Sequence, residues 1–149
     1  MEEAVRLEKP LMLMIRDTHK LWRDHMRDIA AAVGVPDSYR MVLTYLLRHP
    51  GCSQKELAAY RNITTSSVSQ IVKEMQLTGY LRKEVDPDDQ RYVRLYLTEK
   101  GQTCAEEIRT RIRRSDEALG SLLPPGHEQA LLELLGELYA VLEKGVPPC

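Results

Sequence analysis

Residues 63–80 constrain the fold of this chain most strongly, because they carry one helical apolar stripe between a start signal and a stop signal. Four apolar side chains recur at three- and four-residue spacing, so they share one side of a helix that turns about 100° per residue. They are Val68, Ile71, Val72 and Met75. Thr64 or Thr65 can cap the start, and Gly79 can adopt the left-handed conformation that ends a helix. We therefore expect an amphipathic helix whose polar side faces outward.

A shorter helix is predicted just before it. Ser53 and Glu56 have the spacing of a capping box, in which each side chain bonds the backbone amide of the other residue. The polar pair Arg61 and Asn62 then favours a turn, and Ile63 is expected to return to the core. Two helices joined in this way are typical of a helix-turn-helix. Helical hairpins are also common in proteins that never contact nucleic acid, so this pair alone does not decide the function.

The segment that follows has the pattern of a β-hairpin. Residues 81–85 and 92–98 read as strands, and the second alternates apolar with polar or aromatic side chains. Between them, residues 86–90 contain Asp, Pro and Gln in a combination that favours a turn. A helix-turn-helix followed directly by a hairpin predicts a winged helix.

The flanking segments are predicted to be helical. A first helix is expected over residues 11–33, and a second from Asp37 or Ser38 to His49. A fifth helix is expected from a cap at Thr98 to about residue 119. A last, Leu-rich helix follows a Pro-Pro-Gly break and has a wider apolar face than a surface helix needs. We expect it to pack against a second subunit, although a central place in its own subunit is the alternative.

Composition limits the classes of function. A chain of 149 residues supports one globular domain with a sizeable core. Net charge of −1 excludes simple coating of nucleic acid by a basic surface. Residues 40–101 nevertheless hold ten Lys and Arg against seven Asp and Glu, so positive charge is concentrated there. The absence of an apolar run of about 20 residues and of a cleavable leader predicts a soluble cytoplasmic protein.

Three stretches resemble the MarR family of bacterial winged helix-turn-helix transcriptional regulators. They are HPGCSQKELA at 49–58, SSVSQIVKEMQLTGYL at 66–81 and DPDDQRYVRLYLTEKG at 86–101. The resemblance implies a mainly α fold with a small β-hairpin wing and with N- and C-terminal dimerisation helices. It also implies a single domain over 1–149, with a DNA-binding lobe at 36–101 and dimerisation helices at 5–35 and 102–145.

On this reading the chain is a homodimeric repressor that binds a near-palindromic operator in double-stranded DNA. Gln70 can pair with an adenine edge, and helix-start hydroxyls can bind phosphates. The family's Asp-x-Arg pattern falls on Asp89 and Arg91; the resemblance implies that the Asp shapes the wing and the Arg enters the minor groove. The expected DNA-binding residues are Thr64, Thr65, Ser66, Ser67, Ser69, Gln70, Lys73, Arg82, Asp89, Arg91 and Arg94.

The resemblance further implies release by a small aromatic anion, such as a phenolic acid, that binds a cleft between the dimer helices and the winged helix. Its candidate lining residues are Arg16, His19, Trp22, His25, Tyr39 and Arg40. One alternative is a thiol switch at Cys52, which lies beside a helix start that can lower a thiol pKa. Another is a winged helix that serves only as a protein-protein module.

Catalytic and metal chemistry find no support in the sequence. The chain has no Gly-rich phosphate loop, His-Glu zinc motif or nucleophile elbow. Its four His residues form no i, i+4 pair, and its three Cys residues are too far apart for a metal motif or a disulfide framework. We expect a protein that is not an enzyme and that holds neither a metal nor a cofactor.

Overall fold

The computed structural model describes residues 10–147, which form six helices and one two-stranded hairpin. The elements are α1 Leu11–Ala32, α2 Asp37–Arg48, α3 Gln54–Arg61, α4 Thr65–Leu77, β1 Leu81–Val85, β2 Val93–Leu97, α5 Glu99–Leu122 and α6 His127–Lys144. This order confirms the predicted mainly α fold with a hairpin wing. The predicted domain bounds also included residues 5–9, and Cys149 was among the cysteines considered; both lie outside the described residues.

The chain divides into two compact units, one up to Ile112 and one from Arg113 onward. The core of the first unit is built around the helix-turn-helix. Burial of each aliphatic side chain contributes roughly 1.5–3 kcal/mol to the stability of the fold. Nine such side chains are fully buried around α4 and fix it against its neighbours. These side chains are Leu43, Leu46, Leu57, Val68, Val72, Met75, Leu81, Leu95 and Ile108.

Local capping sets the start of the two central helices. The Ser53 hydroxyl accepts from the Glu56 amide at 3.1 Å, and the Glu56 carboxylate accepts from the Ser53 amide at 2.7 Å, which confirms the capping box. Thr64 is the cap of α4. Asn62 takes the left-handed conformation, with φ of 51°, between the two helices. The turn therefore ends α3 sharply before α4 begins.

Two local predictions were wrong. Ile63 was expected in the core, but it is 36% exposed because the turn at Asn62 carries it to the surface. Asp37 or Ser38 was expected to cap α2. Instead Asp37 is the first helical residue and Pro36 occupies the cap position without a side-chain bond. Pro36 has a fixed φ that suits this place, so no polar cap is required.

The hairpin is tied to the segment before α3. β1 and β2 pair antiparallel, with Leu81 opposite Leu97 and Val85 opposite Val93. The Leu95 carbonyl accepts from the Gly51 amide at 2.8 Å, and the Leu95 amide donates to the Cys52 carbonyl at 2.9 Å. These bonds fix the wing beside the start of α3.

The start of α5 closes the first unit. The Thr98 hydroxyl accepts from the Gly101 amide at 3.1 Å, which confirms Thr98 as the cap. Gly101 is buried, and a Cβ added to it would lie 1.9 Å from the Tyr80 carbonyl oxygen. The helix can therefore approach the base of the wing only with glycine at this position.

The second unit ends in α6, and no residue of α6 is buried. Its apolar side chains spread over about half of the helix circumference. The exposed ones include Leu131, Leu132, Leu134, Leu135, Tyr139, Val141 and Leu142, at 45–68% exposure. The predicted wide apolar face is present, and it remains open to solvent in a single chain.

Candidate nucleic-acid interface

One side of α4 is exposed and polar. Ser66, Ser69, Gln70 and Lys73 are exposed, whereas the apolar stripe of the same helix is buried or half-buried in the core. The Gln70 amide reaches Glu74 at only 3.5 Å, so its hydrogen-bonding groups remain available. The structure places these side chains outward, as the sequence analysis expected, although their contact with DNA stays a prediction.

The hydroxyls at the start of α4 divide into two groups. The Thr64 hydroxyl accepts from the Ser67 amide at 3.1 Å and lies 2.9 Å from the Ser67 hydroxyl. These two side chains therefore stabilise the helix start first. Thr65 is exposed in the same turn and Ser69 one turn later. The first turn is the positive end of the helix dipole, where a phosphate is favoured, so Thr65 is the better placed of the two for a phosphate contact.

Asp86 organises the wing from inside the hairpin. One of its carboxylate oxygens accepts from the Asp88 amide at 2.9 Å and the Asp89 amide at 3.3 Å. The other lies 2.8 Å from Nη2 of Arg94 and accepts from its Nε at 2.9 Å. The Asp88 amide and the Arg94 guanidinium hold the pKa of Asp86 below its ordinary value. Arg94 also donates to the Gly51 carbonyl at 3.4 Å. The Arg94 guanidinium is thus engaged within the wing. A DNA phosphate would have to share its N–H donors with Asp86 and Gly51.

Arg91 projects from the wing tip. Its side chain is 91% exposed. Asp89 accepts from the Arg91 amide at 3.0 Å and from its Nε at 3.2 Å, and the Asp89 carbonyl accepts from the Tyr92 amide at 2.9 Å. Asp89 therefore bonds the backbone and side chain of Arg91 at the tip, while the entry of Arg91 into a minor groove stays a prediction. Arg82 instead lies over the Tyr96 ring, 4.8 Å from its centroid, and pairs with Glu84.

A groove that the sequence analysis missed joins α3 to the wing. It has a volume of about 400 Å³, and its lining includes Gln54 and Lys55 from α3 and Arg91 and Tyr92 from the wing. Lys55 is exposed and Tyr92 is 48% exposed. From the sequence, the capping box gave the start of α3 only a structural role, so no binding groove was expected there. Only the bridge between Cys52 and Leu95 of β2 brings it beside the wing tip, and no local sequence signal shows that pairing.

The six candidate effector residues are not brought together. Trp22 and Arg40 line a cavity of about 300 Å³, whereas Arg16 and His19 line a separate groove along α1. His25 is exposed on α1. Tyr39 is buried, with its hydroxyl 3.4 Å from that of Thr78. Adjacent residues of a helix point about 100° apart, so Tyr39 and Arg40 of α2 face different surroundings.

The thiol alternative loses its physical basis at Cys52. The side chain is buried, and burial, followed by the nearby Glu56 carboxylate, raises the pKa of the thiol to about 11. The expectation that the start of α3 lowers this pKa was wrong, because desolvation outweighs the helix dipole at a buried site. A thiol with this pKa is protonated at neutral pH and is a poor nucleophile.

Among residues 10–147, no group of three or more His, Cys, Asp and Glu side chains has the arrangement to hold a metal ion. No helix in that range combines the length and apolarity that a membrane span needs.

Comparisons with known proteins agree with this geometry. Residues 33–91 match the model of the MarR family. The HTH-type transcriptional regulator BilQ of Clostridium symbiosum is 29% identical over 94 residues, which cover 63% of this chain and 65% of that protein. The match therefore spans just under two thirds of the length of that relative.

Solved structures show the same fold. A mutant of MepR from S. aureus superposes with a TM-score of 0.76 at 17% identity, covering 89% of this chain and 98% of that one. Another MepR mutant from S. aureus, bound to an oligodeoxyribonucleotide, gives a TM-score of 0.62 at 18% identity with the same coverage. At these identities the likeness establishes the fold alone.

Proposed function

We propose that the chain is a member of the MarR family and a transcriptional regulator that binds double-stranded DNA with α4 and the wing. One observation carries this proposal: the exposed polar side of α4 and the exposed Arg91 belong to the same compact unit and are fixed to one core. A winged helix with these two surfaces has the parts needed to contact adjacent grooves of one duplex.

The proposed reading of DNA follows from the exposed side chains. With α4 in the major groove, Gln70 pairs with an adenine edge, a contact worth about 1–3 kcal/mol of discrimination. Lys73, Thr65 and Ser69 add base or phosphate contacts beside it. Arg91 enters the adjacent minor groove, where a narrow A·T tract concentrates negative potential. Lys55, at the groove between α3 and the wing, binds the phosphate backbone.

The proposed active form is a homodimer. The apolar face of α6 is exposed along its length, and α1 exposes Leu11, Met12, Leu21 and Trp22. A second copy of the chain covers such surfaces symmetrically. A two-fold dimer places its recognition helices about 34–36 Å apart, or a multiple of that distance, so the operator is a near-palindrome. Occupying an operator beside a promoter makes the protein a repressor.

The proposed switch is a small aromatic anion. Trp22 and Arg40 supply a ring and a cation to the same cavity. A ligand lowers DNA affinity by the ratio of its affinities for the DNA-bound and DNA-free arrangements of the protein. Release of the operator then follows from binding at this cavity.

The decisive experiment measures binding to DNA taken from upstream of the protein's own gene, across a salt series. Each phosphate contact adds about 0.9 to the slope of log affinity against log salt concentration, so affinity should fall steeply. Lys73→Ala should weaken binding and reduce the slope, whereas Arg27→Ala, on an exposed part of α1, should change neither. Affinity that is weak and independent of salt, with tolerance of Gln70→Ala and Arg91→Ala, would instead support the protein-protein module.

A further inference from the structure

The backbone of α4 closes its own C-terminal end only in part. Gly79 has a φ of 81°, and its amide donates to the Gln76 carbonyl at 3.2 Å. The Tyr80 amide donates to the Met75 carbonyl at 2.8 Å. This arrangement is a Schellman motif, which satisfies two of the carbonyls that a helix end leaves free. The carbonyls of Thr78, Gly79 and Tyr80 lie outside the motif and need other donors.

The start of α5 supplies donors to all three of these carbonyls. The Thr98 hydroxyl donates to the Gly79 carbonyl at 2.5 Å, and the Thr98 amide donates to the Tyr80 carbonyl at 3.1 Å. The Lys100 ammonium donates to the Thr78 carbonyl at 2.9 Å. Thr98 also caps its own helix, whereas the Lys100 side chain reaches from α5 to another element. Lys100 therefore ties the C-cap of α4 to the first turn of α5.

Lys100 also brings a charge that α4 does not carry at this end. The C-terminal end of a helix is the negative end of its dipole, and a cation beside it is stabilising. The last turn of α4 contains no basic residue. Thus α5 supplies the cation to this position through Lys100.

Two tyrosines hold the Lys100 ammonium in place. It lies 4.3 Å from the centroid of the Tyr80 ring, which is within the range of a cation–π contact. The Tyr80 ring meets Tyr39 of α2 edge-on, with the centroids 5.6 Å apart and the planes at 73°. The Tyr39 hydroxyl lies 3.4 Å from that of Thr78. Lys100 is an exposed residue, yet its ammonium is fixed between a carbonyl and an aromatic face.

The position of Gln70 depends on how this end of α4 is held. Gln70 lies eight residues before Thr78, which corresponds to about 12 Å along a helix. A tilt of about 10° about the C-terminal end would therefore move Gln70 by about 2 Å. An N–H···O hydrogen bond keeps its atoms about 2.7–3.2 Å apart, so a shift of that size breaks a base contact.

We propose that Lys100 is a positioning residue for sequence recognition, which contacts no DNA and fixes the angle of α4 so that Gln70 meets its base. Val68, Val72 and Met75 are buried and keep α4 on the core without Lys100, so its loss shifts the helix and does not unfold it. The role in recognition rests on the proposed function. The fixing of the end of α4 does not.

Lys100→Met tests this role, because methionine keeps an apolar stem and removes the cation. Competition assays would measure affinity for the operator, taken from upstream of the protein's own gene, and for an unrelated duplex of the same length across a salt series. Operator affinity should fall about three- to tenfold through the misplaced Gln70 contact. Affinity for unrelated DNA and the salt slope should stay unchanged, since no phosphate contact is lost. Lys100→Arg should restore most of the operator affinity, because a guanidinium also donates to carbonyls and stacks on aromatic faces.

Two other exposed lysines provide the comparison. Lys55→Met removes a proposed phosphate contact, so it should weaken binding to both duplexes and lower the salt slope by about 0.9. Lys20→Met makes the same change on α1 and should alter neither. A Lys100→Met protein that matched Lys55→Met would make Lys100 a phosphate contact and overturn the proposal. One that matched Lys20→Met, or that lost thermal stability with an unchanged ratio of the two affinities, would also overturn it.

Amide hydrogen exchange on the free protein separates this proposal from the proposed function. In Lys100→Met, the amides of residues 76–80 should exchange about threefold faster or more, and Lys100→Arg should return them to wild-type rates. Unchanged exchange there would contradict the fixing of α4 whatever the protein does with DNA. Faster exchange in Lys100→Met, together with a wild type that does not prefer the operator, would contradict the proposed function and support the fixing of α4.

Discussion

Arg91 and Arg94 lie three residues apart on the wing, yet their surroundings differ. Arg91 is 91% exposed, and among residues 10–147 its guanidinium pairs with the neighbouring Asp89. Arg94 bonds Asp86 across the hairpin and the Gly51 carbonyl. The first side chain is free to reach a partner molecule, and the second holds the wing in place.

Substitution of these two arginines should therefore separate binding from stability. Arg91→Ala should lower operator affinity by about tenfold or more, because a groove contact is lost. Thermal stability should change little, because within the described residues Arg91 makes no bond with a distant residue whose loss would weaken the fold. Arg94→Ala should lower both, because the wing loses its anchor. Shift assays and thermal melts on the same preparations provide the measurement. An Arg91→Ala protein with full affinity would remove Arg91 from the interface.

Asp86 makes the order of the wing depend on pH. Its pKa in the folded protein lies below the ordinary value, chiefly because of the Asp88 amide and then Arg94. The ionised carboxylate therefore contributes stability above about pH 4, and this contribution is lost as the pH falls through the folded-state pKa. Asp86→Asn should be less stable than wild type at neutral pH, and the difference should shrink in acid.

The matched control for this prediction is Asp88→Asn, which makes the same change of charge at an exposed position of the same turn. Denaturant unfolding of the three proteins, at neutral pH and at several values below about pH 4, gives the comparison. An Asp86→Asn difference that stays constant across this range would show that the carboxylate charge is not what organises the wing.

At the scale of elements, the close approach of α5 to the base of the wing depends on Gly101. A Cβ there would lie 1.9 Å from the Tyr80 carbonyl oxygen, so backbone would have to move. Gly101→Ala should lower the free energy of unfolding by about 1–3 kcal/mol.

Gly136 in α6 has open space around its Cβ position. Gly136→Ala should raise stability by about 0.5–1 kcal/mol, through the higher helix propensity of alanine. Denaturant unfolding measures both, and equal effects would contradict the packing argument.

Elements marked by local signals could be predicted from the sequence. The apolar stripe and Thr64 cap define α4, the Ser53 and Glu56 box defines the start of α3, and turn residues separate β1 from β2. Each of these signals acts within a few residues of chain, so the sequence contains all of the information needed.

Features that depend on distant pairing could not be predicted. Arg94 meets Gly51 across 43 positions of the chain, and the α3 groove reaches Tyr92 only because Cys52 pairs with Leu95. The grouping of the six candidate effector residues could not be predicted for the same reason, since the direction of Tyr39 is set by packing against Tyr80 at 5.6 Å between ring centroids. Local periodicity gives the face of a residue but not the partner that it meets.

For the whole molecule, charge and apolar surface are separated along the chain. The net charge is −1, yet the basic excess is concentrated in residues 40–101, which include the proposed DNA surface. The exposed leucines are concentrated in α6. A soluble monomer rarely exposes a large continuous apolar patch. The α6 surface is therefore the strongest physical argument for self-association.

Oligomeric state tests this argument directly. Leu132 and Tyr139 are seven residues apart on one side of α6 and are 59% and 68% exposed, so replacing both with Lys should cost the single chain little. In a dimer the same changes bury two charges per subunit at an apolar interface, which is strongly unfavourable. The wild type should sediment as a dimer, and the Leu132→Lys, Tyr139→Lys protein as a folded monomer with weaker operator binding. Gln129→Lys, on the polar side of α6, should remain dimeric. A wild type that is monomeric at micromolar concentration would contradict the proposed dimer. It would also contradict the two-fold operator, which depends on that dimer.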